Sequence, residues 1–445
     1  MVNDATVASR LGGGGSEPAQ LMRGRDVAAA VGRSPSKVTA PGRSLLVYVG
    51  AFCLLVTQLD NIQVMRKLVL LLPVLALVAA LAYRRTRKVS VKPTVPLALT
   101  GFVIWLSLSY AWSVDRYNSS HQILETLLVS IAGAIIACTL DRSEVIRVIA
   151  VAARVAIVIT SVGLVVAYHW STKIGVGGAP GWHGPFGQKN GLGFAMEFGL
   201  IAMYFETVKP KRYRLWMLLG VVLVVGSSSG AALGGTLIAA TFVAWFHFLT
   251  SSRRLRDRIV LIAATVVSIT VAVVLLVTEF PFVVGLLGKN ATLTGRTRIW
   301  AAVIHAFTTN PIHGFGYGAV WLNSTGETAK LWQAIGFKAY EAHDVYLDTL
   351  LQLGVVGLIL LGGTLLTGLV SVIRRLRAGD PVDRWLFLCF VALIIEGVVE
   401  SDLLGDTMFL VALLVTAAVI HGRDRRPALV RVGRVSGAST VGSSP

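Results

Sequence analysis

What most constrains this chain is a succession of long apolar segments divided by short polar ones. The run 259–278 is an example, and a helix needs only about 20 residues to cross a bilayer. Segments of this kind lie near residues 44–59, 64–83, 94–113, 123–140, 148–169, 191–207, 214–227, 230–249, 259–278, 346–373, 385–400 and 406–421. Composition points the same way. Apolar residues are 54% of the chain, charged residues 14%, and the mean hydropathy is +0.71, whereas a soluble domain carries about 25% charged residues. A chain of 445 residues that cannot cover its surface with charge is not a water-soluble enzyme. In lipid each backbone polar group must be satisfied internally, which helices achieve within one segment. The expected fold is all-α: a polytopic membrane protein of about twelve transmembrane helices, with a long outer loop between the ninth and tenth.

The net charge of +18 raises nucleic acid as a partner, but its distribution argues for topology instead. Thirty of the 41 Lys and Arg residues fall in the two tails and in alternate loops around 84–92, 142–147, 209–214, 253–258 and 374–384. The positive-inside rule then puts both termini in the cytoplasm of a multi-pass plasma (inner) membrane protein. Membrane lipid headgroups are the expected partners of the remaining basic charge, and no nucleic acid is. The first 43 residues are polar and small, without an apolar signal core, and read as a disordered cytoplasmic tail, as does 422–445. Cys53, Cys138 and Cys389 all sit inside apolar runs. That excludes a disulfide-stapled outer domain and a cysteine metal site.

Two outer loops exceed what a connector needs, 171–190 and 279–345, and loops of such length are usually functional. In the longer one, RTRIWAAVIHAF after Gly295 reads as a short helix ended before Pro311. Trp300, Val303, Ile304 and Phe307 give it one apolar face at helical spacing. Arg296 shares that face and Arg298 does not. An arginine aimed at a low-dielectric surface needs an anion, unless it snorkels to the headgroups. At the loop's end, EAHDVYLDTLLQLG places Glu341, His343 and Asp344 at the mouth of the tenth span. Asp344 suits an N-cap. The positive end of the helix would favour a neutral His343, which suits a general base, and would also favour a phosphate oxygen. The bland alternative is an interfacial histidine. The shorter loop carries GWHGPFGQKNGLG, an irregular Gly/Pro backbone with His183 and Lys189 as donors and no P-loop. The glycines of GFGYG at 314–318 read as a turn. Glu341, His343 and Asp344 could surround a metal, but no second ligand cluster accompanies them, so no metal and no cofactor is expected. Glu197, Glu396 and Glu400 lie in or near spans, where carboxylates tend to be functional, although Glu400 also fits a plain interfacial residue.

GPFGQKNGLG, TGRTRIWAAV, NPIHGFGYG and AHDVYLDTLLQLGVVGL follow one another in this order. Together they resemble the O-antigen ligase and polymerase superfamily, particularly its exopolysaccharide polymerase-like branch. The resemblance implies an inverting glycosyl transfer at the outer face of the plasma membrane, without a metal. A polyprenyl-diphosphate-linked glycan would be the donor and a hydroxyl of a glycan or glycolipid the acceptor, with other polysaccharide-assembly proteins as candidate partners. Arg296 matches the family's arginine and would stabilise the diphosphate, whose oxygens suit the guanidinium fork. His343 matches its histidine and would take or orient the acceptor proton. Lys189, His183, Asn190, Arg298 and Glu341 are candidate substrate-binding residues. Ligase-type members place an arginine before the Gly-x-Phe of the first motif. Here His183 and Lys189 occupy that neighbourhood, so the second diphosphate-binding cation, and ligase versus polymerase, stay open. The competing reading is a transporter or flippase of polysaccharide or lipid-linked glycan. It would place polar groups near the midplane of repeated halves, whereas the polar groups here gather in outer loops.

Overall fold

The computed structural model describes residues 41–58, 68–87, 95–172, 181–251, 256, 259–260, 262–263, 295–322, 326–401, 404–405 and 407–420. Among these every regular element is helical. In chain order they are α1 (Pro41–Gln58), α2 (Leu72–Arg87), α3 (Leu97–Leu108), α4 (Arg116–Thr139), α5 (Arg142–Val166), α6 (Tyr168–Ser171), α7 (Lys189–Phe205), α8 (Tyr213–Ser227), α9 (Gly230–Ser251), α10 (Arg296–Phe307), α11 (Gly326–Ile335), α12 (Val345–Leu376), α13 (Pro381–Val399) and α14 (Met408–Ile420). By length and composition α4, α5, α12 and most of α9 can cross a membrane, and several shorter helices are equally apolar. Most of the predicted segment 259–278, residues 279–294, residues 173–180 and nearly all of both tails lie outside the described residues.

The helices pack through small residues, as expected where lipid removes the hydrophobic drive between spans and close backbone approach has to replace it. A side chain at Gly133 of α4 would collide with the Phe409 carbonyl of α14. One at Gly199 of α7 would meet Ala153 of α5, and one at Gly368 of α12 would meet Phe390 of α13. α14 lies against α4, α7 against α5 and α8, and α12 against α3 and α13. Gly235 of α9 makes room for a buried carboxylate, Glu197 of α7, rather than for a helix backbone.

The two ends of the bundle differ in charge. At one end Arg142 of α5 pairs with Asp383 and, at 3.3 Å, with Asp380 of the α12–α13 turn, while Arg375 reaches Asp383 at 2.9 Å. At this end too Arg154 binds Glu206, the C-cap of α7, at 2.7 Å. Four helix ends, the starts of α7, α10 and α12 and the end of α13, meet at the opposite end.

The described part of the long loop is folded there. Ile299, Ala302 and Val303 of α10, Leu331 and Ile335 of α11, and Phe315, Val320 and Trp321 of the connecting segment form a separate apolar core on Leu351 of α12. The buried stripe of α10 is thus offset by one residue from the expected one. Ile304 is 53% exposed, and the stripe is completed by small Ala302 and partly buried Ala306. Alanines bring α10 close to α11 and α12, so a tight seat outweighs the larger residues next door.

The GFGYG turn performs a structural task. α12 breaks at Gly354, whose φ of 67° and ψ of −169° leave the helical region. The backbone groups released there pair with the loop. Phe315 N–H donates to Leu351 O at 3.1 Å, Gly316 N–H to Gln352 O at 2.9 Å, and Val355 N–H to Pro311 O at 2.9 Å. Trp105 of α3 donates to Leu353 O at 3.0 Å. A broken helix at this depth requires such replacement partners. A side chain at Gly354 would collide with the Ile312 carbonyl.

Candidate active site

Glu400, the C-cap of α13, is the centre of a charged cluster. Its Oε1 accepts from Arg296 Nη2 at 2.9 Å and from Asn190 Nδ2 at 2.8 Å. Its Oε2 meets His343 Nδ1 at 3.1 Å. The same His343 nitrogen meets Glu341 Oε1 at 2.8 Å. Arg296 Nη1 also donates to Val399 O. This carbonyl belongs to the last turn of α13, where the helix leaves acceptors unpaired and its dipole favours a cation. Arg296 is therefore held by a helix end and a carboxylate together.

Local sequence explains why the groups converge. Gly295 caps α10 with a φ of 91°, which turns the chain so that Arg296 opens the helix toward α13. Asn190 lies in the first turn of α7. Asp344 caps α12, its Oδ1 accepting from Tyr346 N–H and Leu347 N–H, both at 2.9 Å. His343, just before the cap, takes a φ of 52°. That conformation is uncommon for a residue with a side chain, and it turns the imidazole back over Glu341 and Glu400. Two bonds fix this turn from outside: Asp344 N–H to Ser401 Oγ at 3.2 Å, and Trp300 Nε1 to Ala342 O at 3.0 Å. Trp300 thereby ties the helix of Arg296 to the turn of His343.

The electrostatics reverse one expectation. Burial opposes a charge on His343, yet the hydrogen bonds and charges of Glu341 and Glu400 outweigh it and push the imidazole up to about 10. The helix end therefore does not keep His343 neutral, because two carboxylates are closer than the dipole. Burial works against ionised Glu400 as well, but His343 and Arg296 hold it below the usual carboxylate range. Asp344 is raised by burial, against the hydrogen bonds it accepts from Leu347 and Tyr346 and the charge of Arg296. One atom each of Glu341, His343 and Glu400 lies within 4.8 Å of the others, a spacing that can suit a metal ion. The donor set fits one poorly: the imidazole nitrogen in question is the one facing both carboxylates, and Arg296 already neutralises Glu400.

The O-antigen ligase family model matches residues 215–362, which include α10, the folded loop, Glu341, His343 and the break in α12. Over 321 residues the chain is 27% identical to the exopolysaccharide production protein ExoQ of Rhizobium meliloti (strain 1021), covering 69% of this chain and 73% of that protein. Over the residues that carry the cluster the chain is similar to the O-antigen ligase family. Apolar helices and this kinship make it an integral membrane protein.

The residues singled out in the sequence divide into two groups. Arg296, His343, Glu341 and Asn190 meet at Glu400. Lys189 opens α7 beside Asn190, its aliphatic stem against Gly181. His183 behaves otherwise. It is 3% exposed, and its Nδ1 meets the carbonyls of Gly184 and Phe186 at 2.9 and 3.0 Å, so it ties up its own loop. Arg298 is exposed on α10. Glu400 stands out in the sequence only as one of three carboxylates in or near spans. Its signal is a carboxylate at the end of an apolar helix, which also fits an interfacial residue. Glu197 and Glu396 are buried one layer deeper and interact with each other.

Proposed function

We propose that this protein is an inverting membrane glycosyltransferase that polymerises or ligates glycan from a polyprenyl-diphosphate-linked donor onto a glycan or glycolipid hydroxyl at the outer face of the plasma membrane. The observation that carries the reading is the meeting of Arg296 and His343 on Glu400. A transferase of this kind must stabilise the charge that concentrates on the departing diphosphate, and prearranged cations do so most effectively. Arg296 presents a planar fork suited to phosphate oxygens. His343 is an imidazolium whose Nδ1 is engaged, which leaves Nε2–H to donate. Lys189 is the candidate second cation of the diphosphate site, and the helix starts of α7, α10 and α12 add positive dipole ends. On binding, the donor would compete with Glu400 for Arg296. The kinship with an exopolysaccharide production protein supports a polysaccharide product. Other polysaccharide-assembly proteins are proposed partners. The charged cluster lies at the end of the bundle remote from the basic loops, and the positive-inside rule makes that end extracytoplasmic.

The test is transfer by purified protein in liposomes, supplied with pools of polyprenyl-diphosphate-linked oligosaccharide and with products sized by mass spectrometry. A ladder of repeats identifies a polymerase, and a single addition to a distinct acceptor identifies a ligase. Passage of intact lipid-linked glycan across the bilayer, with no transfer, would replace this reading by the transporter.

A further inference from the structure

We propose that Glu197 and Glu396 form a buried site for one small monovalent cation, a proton or a sodium ion, about one helix turn beneath the charged cluster. Glu197 of α7 is 0% exposed and Glu396 of α13 is 3% exposed. A charge at such depth is costly unless it is paired, and within membrane spans carboxylates of this kind mark ion and proton sites. The two carboxyl groups meet across the seam where α7 packs on α13. Both present acceptors. Neither oxygen of Glu197, nor Oε1 of Glu396, has a hydrogen-bond donor among the described residues. Two carboxylates held together in this way repel each other strongly in a low-dielectric interior. One positive charge between them removes the repulsion and satisfies both groups.

The neighbouring helices suit a small occupant. Gly235 of α9 lies against the Glu197 carboxyl, and a side chain there would collide with both of its oxygens. The hydroxyl of the next residue, Thr236, is likewise buried without a partner among the described residues. Over residues 230–240 α9 carries no titratable group. From α13, Cys389 faces Glu197 and Glu400 acts on Glu396. Arg296 of α10 also acts on Glu396, but its terminal nitrogens are committed to Val399 O and Glu400. Arg154 of α5 is bound to Glu206 at the other end of the bundle. Calcium takes about 6–8 oxygen ligands and magnesium keeps several waters, more than this seam supplies. The same seam leads to the cluster. Glu400 N–H donates to Glu396 O at 2.8 Å, and Asn190, about two turns before Glu197 on α7, donates to Glu400 at 2.8 Å. Without the cation, repulsion between Glu197 and Glu396 works against the contact that holds α7 to Glu400.

The experiment uses the full chain in lipid nanodiscs, in sodium or choline buffers, with Glu197→Gln as the reference. Glutamine has nearly the same shape, and its amide N–H can donate to Glu396 with no cation bound. Should that variant not fold, Glu396→Gln takes its place. The first readout is the infrared difference between native protein and variant in light and heavy water, which isolates a protonated carboxyl of this pair. The native protein should show that band in choline at about pH 6. Its loss on adding sodium at constant pH identifies a sodium site, and its loss only as the pH is raised toward about 9 identifies a proton site. The second readout is the melting temperature, since an occupant of the folded state raises it. A bound proton stabilises while it is present, so its contribution disappears as the pH rises. In choline that rise should lower the native melting temperature by at least about 2 °C more than that of Glu197→Gln, and sodium should restore it only where sodium is the occupant. A band that survives both sodium and alkaline pH would overturn the proposal. So would the absence of any such band, or equal responses of native protein and variant to pH and sodium. Neither readout needs a donor or an acceptor, so failure of glycosyl transfer would leave both outcomes standing.

Discussion

At the scale of single residues, the cluster depends on shape as much as on charge. Arg296 makes two different contacts with one planar group, to the Val399 carbonyl and to Glu400. A lysine at this position carries the same charge but has no fork, so it cannot hold both contacts and a phosphate oxygen in one plane. Arg296→Lys should therefore lose at least about tenfold in transfer, with the folded protein still monodisperse by size-exclusion chromatography. Native activity there would mean the arginine only snorkels. Arg296 and His343 could be found in the sequence because each sits in a distinctive pattern, a glycine-capped short helix and an Asp-capped long one. The role of Glu400 could not, because it is defined by three partners remote in sequence. The carboxylates that favour a charged His343 were hidden for the same reason. The sequence displays the helix end beside it, but not the carboxylate of α13 that folding brings to it.

Among the elements, the broken helix α12 stands out. Its hydrophobic pattern is continuous across Gly354, so the sequence reads as one span. The break exists because the segment 311–316 supplies partners for the backbone groups it frees. This arrangement fixes the loop that carries α10 onto the helix that follows His343, and so sets the distance between Arg296 and His343. Gly354→Ala would put a side chain at positive φ against the Ile312 carbonyl. A cost of about 1–3 kcal/mol is expected for the backbone conformation alone, visible as a lower melting temperature in detergent. Transfer should fall in the same variant, because the loop loses its seat. An unchanged melting temperature would show that the break does not depend on the missing side chain. The amphipathic helix α10 was legible as an element, but its buried stripe was not. Which of two adjacent stripes is buried was decided by how closely α11 and α12 approach.

For the whole molecule, the separation of the two ends carries the topology. Arg142 and Arg375 interlock with Asp380 and Asp383 at one end, and the charged cluster lies at the opposite end. If the positive-inside rule holds, a cysteine at Lys211 should react with a membrane-impermeant thiol reagent only from the cytoplasmic side, and one at Lys330 only from the outside, each in a background with Cys53, Cys138 and Cys389 replaced. The opposite pattern would invert the orientation and place the chemistry in the cytoplasm. The sequence by itself determined the class of molecule, the helical character of its apolar segments, the two loops that matter and four of the five residues that meet in the cluster. These are local properties: hydropathy, cap residues and charge bias are set by neighbours along the chain. Only the tertiary structure decided the fifth residue, the protonation of His343, the burial of His183 and the break in α12. Each of these depends on a partner brought from another helix, and interactions at hydrogen-bond distance in a low-dielectric interior outweigh the local preferences that sequence patterns record.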